Sequence, residues 1–255
     1  MKQYQPLSSL QLNLFTVVFF LFFLVITGSG LVSADQGTES PQDTAVRLQA
    51  KYDSITSLQF DFNQSVSGQM ARGSKKGAGN AVFVKPPAHP TGQESEPALP
   101  GRMRWNYHSP DRQILINDGT NFSMYFEKLQ QMIISPADSM QTDLTYSFFS
   151  GRGRLMDDFI ILPPDKALAG EATETSPLTV IKLIPRQPQS QVASIHLWAT
   201  TESMIQRIEI LDHFDTRTVL NLSHIEVNQL TVDDRQAMGR LFSFTPPDGT
   251  EVIRQ

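Results

Sequence analysis

The sequence predicts a mainly β protein with a few short helices, its strands laid down one after another and curling into a barrel or half barrel. Three observations predict it. In residues 101–132, Met103, Trp105 and Tyr107 alternate with Arg102, Arg104 and Asn106, and Phe122, Met124 and Phe126 alternate again further on, the period of strands with one apolar face. Turn chemistry recurs at short intervals between such runs, as at Asn117-Asp118-Gly119, whose residues tolerate the positive φ of a tight hairpin. Helical periodicity is confined to short stretches that can cover a sheet but not replace it.

Residues 1–34 stand apart from this fold. Lys2 precedes an almost unbroken Phe, Leu, Val and Ile run over residues 14–26, and Val32-Ser33-Ala34 ends in a small-residue cleavage pattern. The run is short for a bilayer core of ~30 Å, so a cleaved secretory signal peptide is expected, with one domain over residues 35–255. Ser40-Pro41-Gln42-Asp43 then opens a helix: Ser40 caps, Pro41 suits the first helical position, and Asp43 suits the positive first turn. Ala45, Leu48, Tyr52 and Ile55 form its apolar stripe.

A strand follows over residues 58–66 with Phe60 and Phe62 on one face, and another over residues 77–85 with Val82 and Val84 on one face and Phe83 on the other. The Pro-, Glu- and Ser-rich residues 87–100 read as an insert between strands, because proline cannot donate to a ladder. Strands at residues 101–107, 114–116, 122–126 and 132–134 build the central meander. Ser135-Pro136-Ala137-Asp138 repeats the capping pattern, Leu144, Phe148 and Phe149 follow at helical spacing, and Gly151 is a suitable stop. One more helical turn is expected within residues 153–158. Strands are then expected at residues 159–162, 178–183, 192–198, 205–211 and 219–227, with Phe242 and Phe244 closing the sheet.

The chemistry-bearing residues make no catalytic pattern. His89, His108, His196, His213 and His224 include no i, i+4 pair, and there is no cysteine to join them, so solvated histidines are expected and no metal or other cofactor. Asp157-Asp158 are neighbours that point apart. No nucleophile elbow, phosphate loop or dinucleotide glycine pattern occurs, and an enzyme is not expected. Gly77-Ala78-Gly79 reads as close strand packing. The net charge of −5 argues against nucleic acid as a partner. A secreted chain without cysteine relies on its core rather than on disulfides. From residue types alone, Phe60, Phe62, Met103, Trp105, Met124 and Phe126 either pack a core or line a cavity for an apolar ligand.

An ordered set of short motifs narrows that choice: Phe60-Asp-Phe62-Asn-Gln64, Gly77-x-Gly79, Lys85-Pro86, Arg104-Trp105-Asn106-Tyr107, Pro110-x-x-Gln113, Asp118-Gly119, Tyr125, Leu129-x-Gln131, Leu183-x-Pro185 and Phe242-x-Phe244-x-Pro246-Pro247-x-Gly249. Together they resemble the LolA family, periplasmic carriers of outer-membrane lipoproteins in Gram-negative bacteria. The resemblance implies an incomplete antiparallel β-barrel of roughly ten or eleven strands under an amphipathic helical lid.

It also implies a soluble, monomeric periplasmic carrier. Its partners would be acylated lipoproteins, an inner-membrane ABC transporter that releases them, and an outer-membrane lipoprotein receptor. The receptor of similar fold carries a lipobox cysteine, which this sequence lacks. Phe60, Phe62, Met103, Trp105, Met124, Phe126, Leu144 and Phe148 would then bind acyl chains. Lys85 stands where the family often has a lid-contacting arginine, and Met103 where it often has phenylalanine. A lipid- or lipoprotein-binding sensor and a binder of small apolar ligands are the alternatives for the same fold.

Overall fold

Consecutive hairpins build most of the molecule. The structure, a computed structural model, describes residues 39–68, 74–86, 101–137, 148–149, 153–168, 178–230 and 235–255. Helix α1 (Pro41–Ser54) leads into β1 (Ser57–Ser67), β2 (Lys75–Val84), β3 (Arg102–Ser109), β4 (Gln113–Asn117) and β5 (Asn121–Phe126). A 3-10 turn (Glu127–Leu129) and β6 (Gln131–Pro136) follow, then α2 (Leu155–Asp158), β7 (Phe159–Leu162), β8 (Thr179–Pro185), β9 (Ser194–Ala199), β10 (Ile205–Leu211), β11 (Arg217–Val227), α3 (Arg235–Leu241) and β12 (Glu251–Arg254). The expected signal peptide (1–34), the insert (87–100), His89, Leu144 and Gly151 lie outside the described residues.

The strands form one curled, unclosed sheet in the order β12-β6-β5-β4-β3-β2-β1-β11-β10-β9-β8-β7. Every neighbouring pair is antiparallel except β12 and β6, which are parallel. The long-range pairing is β1 with β11, which joins the meander of β1–β6 to that of β7–β11. Twelve described strands exceed the expected ten or eleven; β12 was not anticipated, being four residues beyond a Pro-Pro-Asp-Gly turn.

Register sorts the side chains onto two faces. On the inner face, Phe62 lies opposite Gly79 and Leu222, and Phe60 opposite Ala81. Trp105 pairs with Ala81 and Leu115, and Met124 with Leu115 and Ile133. Helix α1 covers the inner face at β7 and β8, so Ala45, Leu48 and Tyr52 bury with Phe159, Ile161, Ile181, Leu183, Ile195, Leu197 and Ile208. Its start is as read from the sequence: the Ser40 hydroxyl accepts from the Asp43 N–H at 3.1 Å and Pro41 occupies the first turn.

The outer face carries a second apolar cluster, of Val82, Val84, Ile114, Ile116, Tyr125 and Met132 under Met238 and Phe242. This corrects one expectation. Phe242 and Phe244 do not close the sheet; they follow α3 and pack against its outer face, Phe244 lying 4.9 Å from the Tyr125 ring. Ile114 and Ile116 point outward, while Leu115 between them shares the inner face with Trp105. Arg104 fastens this layer, donating to the carbonyls of Leu241 (2.9 Å) and Ser243 (3.1 Å) where α3 ends and its carbonyls lack helical partners. The Ser135-Pro136 pattern is also not a helix cap, because both residues belong to β6.

Candidate functional site: the inner apolar trough

Glycine lets the aromatic lining assemble. A Cβ on Gly79 would sit 1.8 Å from the Asn106 carbonyl oxygen and 2.9 Å from the Phe62 ring, so only hydrogen fits there. Over that flat place Phe62 and Tyr107 meet edge to face at 5.0 Å, and Phe62 lies 4.6 Å from Trp105. The Tyr107 hydroxyl donates to Gln64 at 2.7 Å and closes that end of the aromatic row. Phe60 continues it to Trp105 (5.7 Å) and Phe83 (6.1 Å).

The inner face changes character along the sheet. Phe60, Phe62, Met103 and Phe83 are buried. Trp105, Tyr107, Leu115, Met124, Phe126 and Ile133 are only half-buried, forming an apolar strip across β3–β6. Of the residues named from the sequence, six therefore share this face: three packed beneath it and three, Trp105, Met124 and Phe126, along the strip. Phe148 is half-buried against Tyr52, at 4.8 Å, and belongs to the same cluster.

Phe149 was read from the sequence as part of a helix and not as a site residue, and it occupies the centre. It is 1% exposed, with ring centroids 5.3 Å from Phe83, 5.6 Å from Phe60 and 6.0 Å from Tyr52. The available signal was its place beside Phe148 on the expected helical stripe, since adjacent residues can both lie on such a stripe. A cavity of about 30 Å³ remains beside it, lined by Phe148, Phe149, Leu155, Phe159, Leu183, Ile195, Leu197 and Ile208. That volume admits a water or two and no acyl chain.

Helix α1 is fastened against the sheet by polar contacts. Gln42 donates to the Ile161 carbonyl at 3.1 Å, Gln49 accepts from the Leu155 N–H at 2.8 Å, and the Tyr52 hydroxyl accepts from the Ile205 N–H at 3.2 Å. Arg47 reaches the Ser203 hydroxyl at 3.1 Å. Lys85, just past β2, donates its ammonium to the Tyr52 carbonyl in the last turn of α1, where a cation complements the exposed carbonyls. Burial pushes the Lys85 pKa down; Asp53 opposes that shift and Arg154 adds to it. Burial pushes the Tyr52 hydroxyl well above its ordinary range.

The histidines are not uniformly solvated. His196 is 3% exposed on the outer face, 3.3 Å from Asp165, which also takes Lys182 at 2.7 Å; burial lowers the His196 pKa. Its place on β9, all of whose residues are buried, explains the difference. Among the described residues no cluster of histidine and carboxylate is placed to hold a metal, and no helix is long and apolar enough to cross a membrane.

Among the described residues the geometry thus offers apolar area on an open sheet. Residues 98–236 match the family model described as outer membrane lipoprotein carrier protein LolA. An outer-membrane lipoprotein carrier protein of Nitrosomonas europaea is 26% identical over 77% of this chain and 82% of its own length. The protein of the same name from Chromohalobacter salexigens is 25% identical over 83% of this chain and 87% of its own. Among solved structures, a LolA superfamily protein from Nitrosomonas europaea aligns over 81% of this chain and 98% of its own, at 10% identity and a TM-score of 0.37. The family match spans more than half of the sequence, and on it this chain belongs to the LolA family.

Proposed function

We propose that this chain is a soluble periplasmic carrier. It accepts lipoproteins from an inner-membrane ABC transporter, shields their acyl chains on the inner face of the sheet, and delivers them to an outer-membrane receptor. Residues 1–34 act as the export signal and are removed, and the carrier works as a monomer. The observation that carries the reading is the half-buried apolar strip of Trp105, Leu115, Met124 and Ile133 continuing into the buried aromatic cluster around Phe149. Relatives named as lipoprotein carriers along most of the chain support it.

The physics of the cargo matches that surface. Each methylene withdrawn from water contributes ~0.8 kcal/mol, so acyl chains do not cross an aqueous compartment bare. A carrier must also release, and methionine and aromatic side chains grip an apolar chain without demanding one shape. Phe60, Phe62 and Met103 form the floor, Trp105, Met124 and Phe126 the open wall, and Phe148 the lid side, with Leu144 also assigned to acyl-chain binding. Phe149 is the group that must leave when cargo enters. Lys85 acts as the latch between the sheet rim and α1. The residue 87–100 insert serves contact with transporter or receptor.

The test is release of a radiolabelled lipoprotein from spheroplasts by the purified protein lacking residues 1–34. A soluble complex of lipoprotein and carrier is expected. Release no greater than with buffer, or a protein that co-purifies only with a free small apolar molecule, overturns the reading.

A further inference from the structure

The two edges of the sheet are treated differently. At β7 two of the backbone groups that point away from β8 are occupied: the Phe159 N–H is taken by the Leu155 carbonyl, and the Ile161 carbonyl accepts from Gln42 of α1. Pro163 and Pro164 follow at once, and neither has an N–H to offer. That edge is thus partly blocked to a further strand.

At β12 the edge is open. The Glu251 N–H donates to Gln130 at 2.8 Å and the Gln255 N–H to Ile134 at 2.9 Å, both carbonyls belonging to the β6 side. Backbone direction alternates along a strand, so Val252 and Arg254 point their N–H and C=O groups away from β6. Neither backbone has a hydrogen-bond partner among the described residues, and the Val252 side chain is 45% exposed. An uncovered ladder edge is a template for an added strand, and natural sheets normally blunt it.

This edge is also the outer margin of the trough. Ile253 pairs with Ile133, which pairs with Met124, so the apolar strip runs without interruption to the strand whose far side is open. We infer that the free edge of β12 docks the extended polypeptide that follows the acylated end of a lipoprotein cargo. Main-chain hydrogen bonds to Val252 and Arg254 hold it while its acyl chains lie on the inner face. The inference rests on the carrier reading above and adds a second contact to it. Strand addition suits a carrier of many cargoes, because it reads backbone and not sequence.

Proline supplies the test. At Val252 or Arg254 it removes an N–H that faces solvent and leaves pairing with β6 in place, the one arrangement in which an edge strand tolerates it. The two probes are a fluorescent triacylated cysteine with no further residues and the same anchor extended by a ten-residue polar peptide. The parent protein is expected to bind the extended probe about tenfold more tightly, the effect of one or two added hydrogen bonds. Val252→Pro should abolish that preference and leave the bare anchor's affinity unchanged. Arg254→Pro should do the same and serves in its place if Val252→Pro does not fold by circular dichroism. A tenfold preference retained by the folded variants, or no preference in the parent, overturns the inference. If the parent binds neither probe, the carrier reading itself fails and this inference falls with it.

Discussion

Replacing Phe149 by alanine separates a lid that must leave from a core that must stay. The ring is buried among Phe60, Phe83 and Tyr52, at centroid distances of 5.3 to 6.0 Å. Truncating a buried phenylalanine costs about 3–5 kcal/mol. If cargo displaces this ring, loading must first lose much of that packing, which the burial of about four to six methylenes offsets at ~0.8 kcal/mol each. Phe149→Ala makes that sacrifice in advance. The empty variant should therefore be about 3 kcal/mol less stable in a denaturant titration. Its affinity for a fluorescent C16 acyl probe should rise at least tenfold, with about a hundredfold as the ceiling set by the same energy. Added probe should also restore much of the lost stability, because a ligand that binds only the folded state stabilises it by mass action. A variant that is destabilised by this amount while binding the probe with unchanged affinity would refute the displacement reasoning and leave Phe149 as ordinary core.

Other consequences follow from the same geometry. Trp105→Glu or Met124→Glu places a carboxylate on the half-buried strip, and either should abolish binding of the acyl probe while the far-ultraviolet circular dichroism stays native; full binding by both removes the strip from the site. Lys85→Leu breaks the contact to the Tyr52 carbonyl and should leave loading intact while slowing hand-over to the receptor, with Lys85→Arg retaining both steps, as measured by separate loading and transfer assays. The depressed Lys85 pKa has a signed consequence. Between its folded value and the ordinary 10.5 the unfolded chain holds more protons, so this group makes stability rise with pH across that window. Tyr52, whose hydroxyl is raised, acts in the opposite direction above its ordinary value of 10.0. The difference between the parent and Lys85→Met in alkaline thermal melts should isolate the lysine, and parallel curves would contradict the assignment. Gly79→Ala drives a methyl into the Asn106 carbonyl and should cost at least about 1–3 kcal/mol, seen as a lower denaturation midpoint.

Alternation along the chain sufficed to place β1 to β11, because side chains on successive residues of a strand must point to opposite faces. Phe60 and Phe62, Met103 and Trp105, and Met124 and Phe126 share a face for that reason alone, and their pairing across register follows. The opening helix was equally legible, since a cap, a proline at its first position and a stripe of Ala45, Leu48 and Tyr52 are local features. What the period could not decide is which of two apolar faces is the inner one. Val82, Ile114, Ile116 and Met132 look in sequence like core residues of the same kind, and only tertiary structure assigns them to the outer face under Met238 and Phe242.

Long-range pairing was beyond local reading as well. The union of β1 with β11, and the parallel return of β12 beside β6, join residues far apart in the chain, and nothing in either strand names its partner. The same reason hid Phe149, whose role depends on rings from three separate elements converging on it, and His196, which looked solvated until β9 was buried on both faces. Local residue patterns determined most of this protein's elements and which of its aromatic and methionine side chains share a face. The tertiary structure decided which of those side chains meet, which remain half-buried, and which edge of the sheet is left unpaired, because these depend on contacts that no local period encodes.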